Sequence, residues 1–108
     1  QNLTYNMKLI AQAADLEPDN ASIIDSLGWA HHLLGQNDIA VKLLEQAWRG
    51  QSDNAVIAEH LGDAYFHVGR KFEARHMWRA ASLLADEEMM LRLEPKLRFG
   101  WSAETAAP

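Results

Sequence analysis

Apolar residues recur every three or four positions along most of the chain, which is the pattern of amphipathic helices that bury one face. Small and apolar positions also repeat at a longer spacing. A shift of 34 residues aligns residues 19–21 (Asp-Asn-Ala) with 53–55, and residues 27–28 (Leu-Gly) with 61–62. Charged positions mostly differ between the two copies. The sequence therefore predicts a repeated packing scheme with unrelated surfaces.

Each copy predicts two helices. In the first copy an Asp-Asn pair provides an N-cap for a helix over about 21–34, which Gly35 ends, and a second helix covers 37–50. The second copy predicts helices over 55–68 and 71–84. A helix over 3–16 precedes the copies, and a helix over 87–99, bent or restarted at Pro95, follows them. We predict one all-α domain over residues 1–100 and a disordered tail over 101–108.

A glycine lies inside the first helix of each copy, at Gly28 and Gly62. An interior glycine costs roughly 1 kcal/mol relative to alanine. Because it recurs at the same phase, we interpret it as a point where the two helices of a pair approach closely. The partner helices carry small residues for this contact, and larger residues fill its sides. The small residues are Ala40, Ala47, Ala74 and Ala81, and the larger ones are Leu27, Leu44, Leu61 and Trp78.

This unit resembles the tetratricopeptide repeat, whose motif has a large residue, Leu-Gly and an aromatic, followed by small, bulky, alanine and proline positions. The first copy matches it at Ile24, Leu27, Gly28, Ala40, Leu44 and Ala47, and the second at Leu61, Gly62, Tyr65, Ala74, Trp78 and Ala81. The departures are His31 at the aromatic position, Ala58 at the large one, and Ser52 and Asp86 at the proline. The sequence over residues 25–47, with the pattern DSLGWA…GQ…A…LLEQA, looks most like the C-terminal part of a larger bacterial tetratricopeptide protein.

The resemblance implies a right-handed α-solenoid of antiparallel helix pairs with a C-terminal capping helix. Residues 3–16 would be the second helix of a partial repeat, residues 21–54 and 55–88 two repeats, and residues 87–99 the cap. It also implies a concave groove, lined by the first helices, that binds a peptide or a helix of a partner protein.

One face of each first helix should line that groove. It carries acidic residues in the centre, two aromatic anchors and an apolar end supplied by the capping helix. The candidates are Ser22, Asp25, Trp29, His32, Val56, Glu59, Asp63, Phe66, Met90, Leu93 and Leu97. The carboxylates predict a ligand that bears Lys or Arg. A solvated charged face without a ligand is the alternative interpretation.

Charge narrows the function classes further. Residues 1–69 hold three Lys/Arg against nine Asp/Glu, so the larger part of the chain lacks the basic face that nucleic acids require. No run of 18 apolar residues predicts a membrane span. There is no cysteine, which excludes disulfides and leaves the compartment open.

Chemical motifs do not point to an enzyme. Neither a nucleophile elbow nor a phosphate-binding glycine loop is present. Glu59, Asp63 and His67 share one helical face, which is a weak pattern for a metal site, and we expect no cofactor. His31 and His32 point about 100° apart on a helix and do not form a joint site.

Two functions remain open at this stage. The first is a non-enzymatic module that binds a partner in the groove. The second is a structural C-terminal end-piece of a longer solenoid whose partner site lies upstream. The apolar face of residues 3–16 would then lack its neighbour, and we predict self-association through it.

Overall fold

The computed structural model describes residues 2–108. They contain six α-helices and one short 3-10 helix, joined by loops. They are α1 (Leu3–Leu16), α2 (Ala21–Leu33), α3 (Asn37–Gly50), α4 (Ala55–His67), α5 (Lys71–Ser82), α6 (Glu87–Phe99) and the 3-10 helix Ala103–Thr105. No strand occurs in this range. The all-α prediction is confirmed, and the predicted helix ends lie within two residues of the observed ones.

The local sequence explains where these helices begin and end. Asn20 and Asn54 cap α2 and α4, since their side chains accept hydrogen bonds from the backbone N–H groups of Ile23 and Ile57. Asp86 caps α6 in the same way. Gly35 and Gly69 follow the ends of α2 and α4 with φ of 80° and 84°. Residues that carry a Cβ rarely adopt this left-handed backbone conformation. α6 runs continuously through Pro95.

Consecutive helices pack as pairs, α2 with α3 and α4 with α5. The predicted close approach at both glycines is confirmed. A Cβ on Gly28 would lie 2.9 Å from Cγ of Leu44, and one on Gly62 would lie 2.5 Å from Cδ1 of Trp78. The expectation of small residues meeting small residues is wrong in detail. Each glycine instead makes room for a large, fully buried side chain of the partner helix.

The main hydrophobic core lies between α3, α4, α5 and α6. Its residues include Leu44, Leu61, Trp78 and Leu93, all at most 1 % exposed. A smaller cluster of Ile24, Ala47 and Ile57 joins α2 and α3 to α4. The helical spacing of apolar residues predicts that Ile39 and Phe72 point inward, but Phe72 is 84 % exposed and Ile39 is 47 % exposed. Both lie in the first turn of their helices, Ile39 as the third residue of α3 and Phe72 as the second residue of α5.

The tail over 101–108 was predicted to be disordered, and the structure contradicts this. The 3-10 helix Ala103–Thr105 lies in it, Trp101 packs against the main core, and Ala107 is buried. Its composition, rich in alanine with a single tryptophan, lacks a helical period. The order comes instead from contacts with α4, which the local sequence cannot display.

Candidate functional site

The predicted groove residues of α2 and α4 share one surface, which we call the α2–α4 face and define by Asp25, Trp29, His60, Asp63 and Phe66. Burial divides the predicted set into three groups. Ser22 and Val56 are exposed, Trp29, His32, Phe66, Met90 and Leu97 are half-buried, and Asp25, Glu59, Asp63 and Leu93 are buried. Leu93 is therefore a core residue rather than a groove residue, since it is fully buried among the apolar side chains of the main core.

A run of aromatic rings crosses this face. The Trp29 ring stacks on His32 and on His60, with centroids 4.4 Å and 4.0 Å away. His32 then meets the edge of His67 at 4.9 Å, and His67 meets Trp101 of the tail at 4.4 Å. Sequence reasoning placed Trp29 and His32 here but missed His60 and Trp101. Only the packing of α2 on α4 brings His60 against Trp29.

The acidic centre of the face is neutralised from within the chain. Glu59 accepts two hydrogen bonds of 2.9 Å from Arg92 and one of 2.8 Å from Lys96, both of α6. Lys96 also donates to Asp63 over 2.9 Å, and both side chains are fully buried. Burial by itself would raise the pKa of Glu59, but the hydrogen bonds from Arg92 and Lys96 outweigh it and lower that pKa below its usual value.

This cluster corrects the argument for a cationic ligand. The sequence predicted free carboxylates at Glu59 and Asp63, whereas α6 supplies their cations. The missing information was a contact across 33 residues or more between α4 and α6. Lys96 stands 34 residues after Gly62, so the register of the repeat gave no reason to expect an inward-pointing lysine there. A Lys/Arg-bearing ligand stays a prediction, but it has lost its main physical basis.

Asp25 and His60 form a second buried pair on the face. Oδ1 of Asp25 lies 2.8 Å from Nδ1 of His60, and Nε2 of His60 lies 2.9 Å from the main-chain oxygen of Pro108. Burial lowers the pKa of His60, but the hydrogen bond and charge of Asp25, together with the Pro108 oxygen, outweigh it and raise that pKa overall. A protonated His60 donates to both partners at once and so links α2, α4 and the tail.

The pKa of His32 is shifted in the opposite direction from that of His60. Burial lowers its pKa, and the hydrogen bond from Nδ1 to Oδ1 of Asn37, 2.6 Å long, opposes that shift without cancelling it. The neutral ring is therefore favoured at the centre of the aromatic run. His31 is half-buried, and its Nδ1 lies 2.6 Å from the side-chain oxygen of Gln36.

The tail lies across the α2–α4 face and occupies part of the predicted groove. The backbone N–H of Ala107 donates to Oδ2 of Asp63 over 2.9 Å, and the Pro108 oxygen reaches His60. Gly100 turns the chain toward the face with φ of 91°, where a Cβ would lie 3.2 Å from the Phe66 ring. Two signals in the sequence were available: a glycine directly after a helix, and a lone tryptophan in a small-residue tail.

Beyond the end of the tail, a cleft of about 280 Å³ opens between α1 and α2. Its walls include Leu3, Ile10, Trp29, Leu33 and, at one end, Asp25 and His60. The cleft and the tail therefore share the His60 ring. A larger depression of about 490 Å³ lies on α6 and the loop before it, on a surface that none of these polar contacts reaches.

The described part of the chain holds no cluster of three or more His, Asp or Glu side chains that could bind a metal ion. His67, of the weak metal pattern, instead makes a 2.8 Å hydrogen bond from Nδ1 to the main-chain oxygen of Asp63. Among residues 2–108, every helix is too short or too polar to cross a lipid bilayer. No family model matches the chain, and no curated protein shows significant sequence similarity to it.

Proposed function

We propose that the chain is a non-enzymatic protein-interaction module of the tetratricopeptide type, a right-handed solenoid segment that binds a peptide or helix of a partner on the α2–α4 face. The 34-residue repeat, the paired helices and the recurrent glycine contacts support the family assignment. The side-by-side contact of α2 and α4, the first helices of the two copies, supports the stacked arrangement.

One observation carries the binding function: the face already holds a chain segment by main-chain contacts. Asp63 accepts the N–H of Ala107, and His60 bonds to the Pro108 oxygen. Neither contact depends on a side chain of the bound segment, so a segment from another protein meets the same two partners. The half-buried Trp29 and Phe66 rings provide apolar surface beside them, as anchors at peptide sites do.

The carboxylates that sequence analysis assigned to a cationic ligand have a different role in this proposal. Lys96 and Arg92 hold Glu59 and Asp63 in place, and the second oxygen of Asp63 is left to accept a backbone N–H. The ligand is therefore recognised by its backbone and by apolar contact, without a required Lys or Arg.

The binding experiment uses the full chain with Trp101→Ala, which weakens the docking of the tail by removing the edge-to-face contact between Trp101 and His67. A fluorescein-labelled peptide with the tail sequence GWSAETAAP is titrated with this variant, and anisotropy is measured. We expect saturable binding that Trp29→Ala weakens at least about tenfold, because Trp29 stacks on His60, which bonds to the Pro108 oxygen. A scrambled peptide that moves the tryptophan away from His67 should bind more weakly.

The matched control is Phe72→Ala, since Phe72 is 84 % exposed on α5 and lies off the face. Circular dichroism checks that each variant keeps its helical content. Equal loss with Trp29→Ala and Phe72→Ala, or no saturable binding at all, contradicts the proposed site.

A structural end-piece of a longer solenoid, with the partner site upstream, is the second candidate function. The exposure of α1 favours it: none of its residues is buried, and Tyr5, Leu9 and Leu16 are 46 %, 46 % and 85 % exposed. The tail also covers part of the face, as a cap would. Capture of the partner by the longer parent protein that survives both Trp29→Ala and Val56→Lys would favour this candidate over the first.

A further inference from the structure

The tail fits the α2–α4 face incompletely. The indole Nε1–H of Trp101 is buried and has no acceptor among the described residues. A buried donor without a partner opposes docking, because it has lost its hydrogen bond to water. The tail is thus a weaker ligand than the same contacts could support, and it can be displaced.

The unfilled cleft continues the path of the tail. The tail ends its contacts at His60, and the cleft between α1 and α2 begins at the same ring. Its walls are mainly apolar, with Ile10, Trp29 and Leu33 as the large side chains. A volume of about 280 Å³ lies near the lower end of the range for ligand pockets, roughly 300–1,000 Å³, which suits one or two side chains.

Four polar residues line the cleft, and three of them, Asp25, Ser26 and His60, are already hydrogen-bonded; the fourth is Asn6. Asp25 is bonded to His60, and the hydroxyl of Ser26 donates to the main-chain oxygen of Ser22 over 3.1 Å. An anionic side chain that entered the cleft would lose water and face the carboxylate of Asp25, whereas an apolar side chain would only remove apolar surface from water.

We propose that the α2–α4 face binds a partner segment that follows the path of the tail and places a bulky apolar side chain in this cleft, directly after the position of Pro108. This inference rests on the proposed function and names the ligand class of the same site. The extra side chain explains how a partner replaces the tail. A tethered segment has an effective concentration of about millimolar for a short flexible linker, so a competitor needs an additional contact.

The experiment compares three labelled peptides on the full chain with Trp101→Ala: GWSAETAAP, the same peptide with a C-terminal leucine, and the same peptide with a C-terminal aspartate. Burial of a leucine side chain should strengthen binding by about tenfold or more relative to the tail peptide. The aspartate peptide has the same length and one more charge, and we expect no gain from it.

Two substitutions test the location. Leu33→Lys puts a charge in the wall of the cleft and should remove the gain from leucine while leaving the affinity of GWSAETAAP unchanged. Leu91→Lys is the matched control, since Leu91 is a similarly exposed leucine on α6, 77 % against 57 % for Leu33. Leucine and aspartate peptides of equal affinity overturn the inference while the proposed function stands. Absence of binding by all three peptides overturns both.

A second copy of the chain is the other possible occupant, by exchange of tails between molecules. Such an exchange fills the face with the same residues as the tail itself and leaves the cleft empty. It predicts a dimer that sedimentation detects and that Trp101→Ala abolishes. It also predicts that the leucine peptide binds no more tightly than GWSAETAAP. That result overturns the inference in favour of self-assembly.

In the unsubstituted chain, the leucine peptide should expose the tail. Hydrogen exchange of the Ala107 amide reports this directly, because its N–H is bonded to Asp63 in the docked state. We expect protection of that amide to fall as the leucine peptide is added, and to persist at the same concentration of the aspartate peptide. Loss of protection with both peptides, or with neither, contradicts displacement through the cleft.

Discussion

The Nζ atom of Lys96 lies 2.9 Å from Oδ1 of Asp63, and neither side chain has any exposed surface. Asp63 also accepts a 2.9 Å hydrogen bond from the indole of Trp78, and its other oxygen accepts the N–H of Ala107. One carboxylate thus joins the end of α6, the core of the second helix pair and the tail. The stability of the domain and the docking of the tail depend on the same group.

Lys96→Met should be strongly destabilising. It removes the cation that Glu59 and Asp63 share. Asp63 is then left without a cation, because Arg92 contacts only Glu59. Breaking a buried ion pair from one side typically costs about 3–5 kcal/mol. Urea denaturation measures the change. Lys42→Met, at an exposed position of α3, is the control and should stay within about 0.5 kcal/mol of the parent. Equal effects of the two substitutions would show that the pair contributes no stability.

Gly62→Ala should cost more free energy of unfolding than Gly28→Ala. The new methyl would lie 2.5 Å from two atoms of Trp78 and 3.2 Å from the main-chain oxygen of Ala74, whereas at Gly28 the nearest atom is Cγ of Leu44 at 2.9 Å. Overpacking costs about 1–3 kcal/mol, and we expect Gly62 at the upper end.

Gly50→Ala is the internal control for this series, because Gly50 ends α3 and the nearest atom to a new Cβ is 3.5 Å away. It should be neutral or slightly stabilising through helix propensity. Thermal melts of the three variants give the order. A Gly62→Ala protein as stable as Gly50→Ala would mean that the two helices are not in close contact there.

The docking of the tail should depend on pH through His60. Its pKa is raised above 6.5 in the folded protein, so its stabilising contribution is complete below about pH 6.5 and is lost as the pH rises through the raised value. The charged groups that face His60 are Asp25 of α2 and Asp63 of α4, and Pro108 adds a main-chain oxygen. Protection of the Ala107 amide, corrected for intrinsic exchange, should fall over that pH range.

Asp25→Asn separates this effect from other titrations. It removes the charge that raises the pKa of His60, so the imidazole should titrate at a lower pH by NMR and the protection of Ala107 should vary less with pH. The contribution of His32 to stability depends on pH in the opposite direction. Because its pKa is lowered, this contribution is present above pH 6.5 and is lost as the pH falls. An unchanged titration of His60 in Asp25→Asn would show that the pair is not formed.

The exposed apolar side chains of α1 should cause self-association. Leu9→Lys places a charge in the middle of that surface and should shift a dimer toward monomer in sedimentation velocity. Phe72→Lys adds the same charge at an exposed aromatic on α5, and should leave the dimer intact. A strict monomer at millimolar concentration in the unsubstituted chain would exclude association through α1.

Periodicity was enough to predict the helices, their pairing and the glycine contacts, because these depend on residues a few positions apart or on a spacing that repeats. It also placed Trp29, Asp25 and Asp63 on a shared face. What it could not supply were contacts specific to one place in the chain. Lys96 lies in α6, outside both copies, and the repeat places a glycine 34 residues before it. Its ion pairs with Glu59 and Asp63 turn a predicted open acidic surface into a buried network.

The tail shows the same limit. A tripeptide of small residues before Pro108 carries no helical or strand pattern, and yet Ala107 is among the buried residues. Its order comes from Asp63 and His60, which lie 44 and 48 residues from their partners in the tail. Leu93 was misplaced for a related reason, since α6 buries Leu93 on the same face as Met89 and Lys96.

The turn at Gly100 has a practical consequence for anyone who handles this domain. Because it directs the last residues back over α4, an affinity tag or fluorescent protein fused after Pro108 would emerge beside α1 and α2 instead of extending freely into solvent. Such a fusion would crowd the very surface that a binding assay is meant to probe. Purification handles for this domain are better attached at some other exposed site, away from α1.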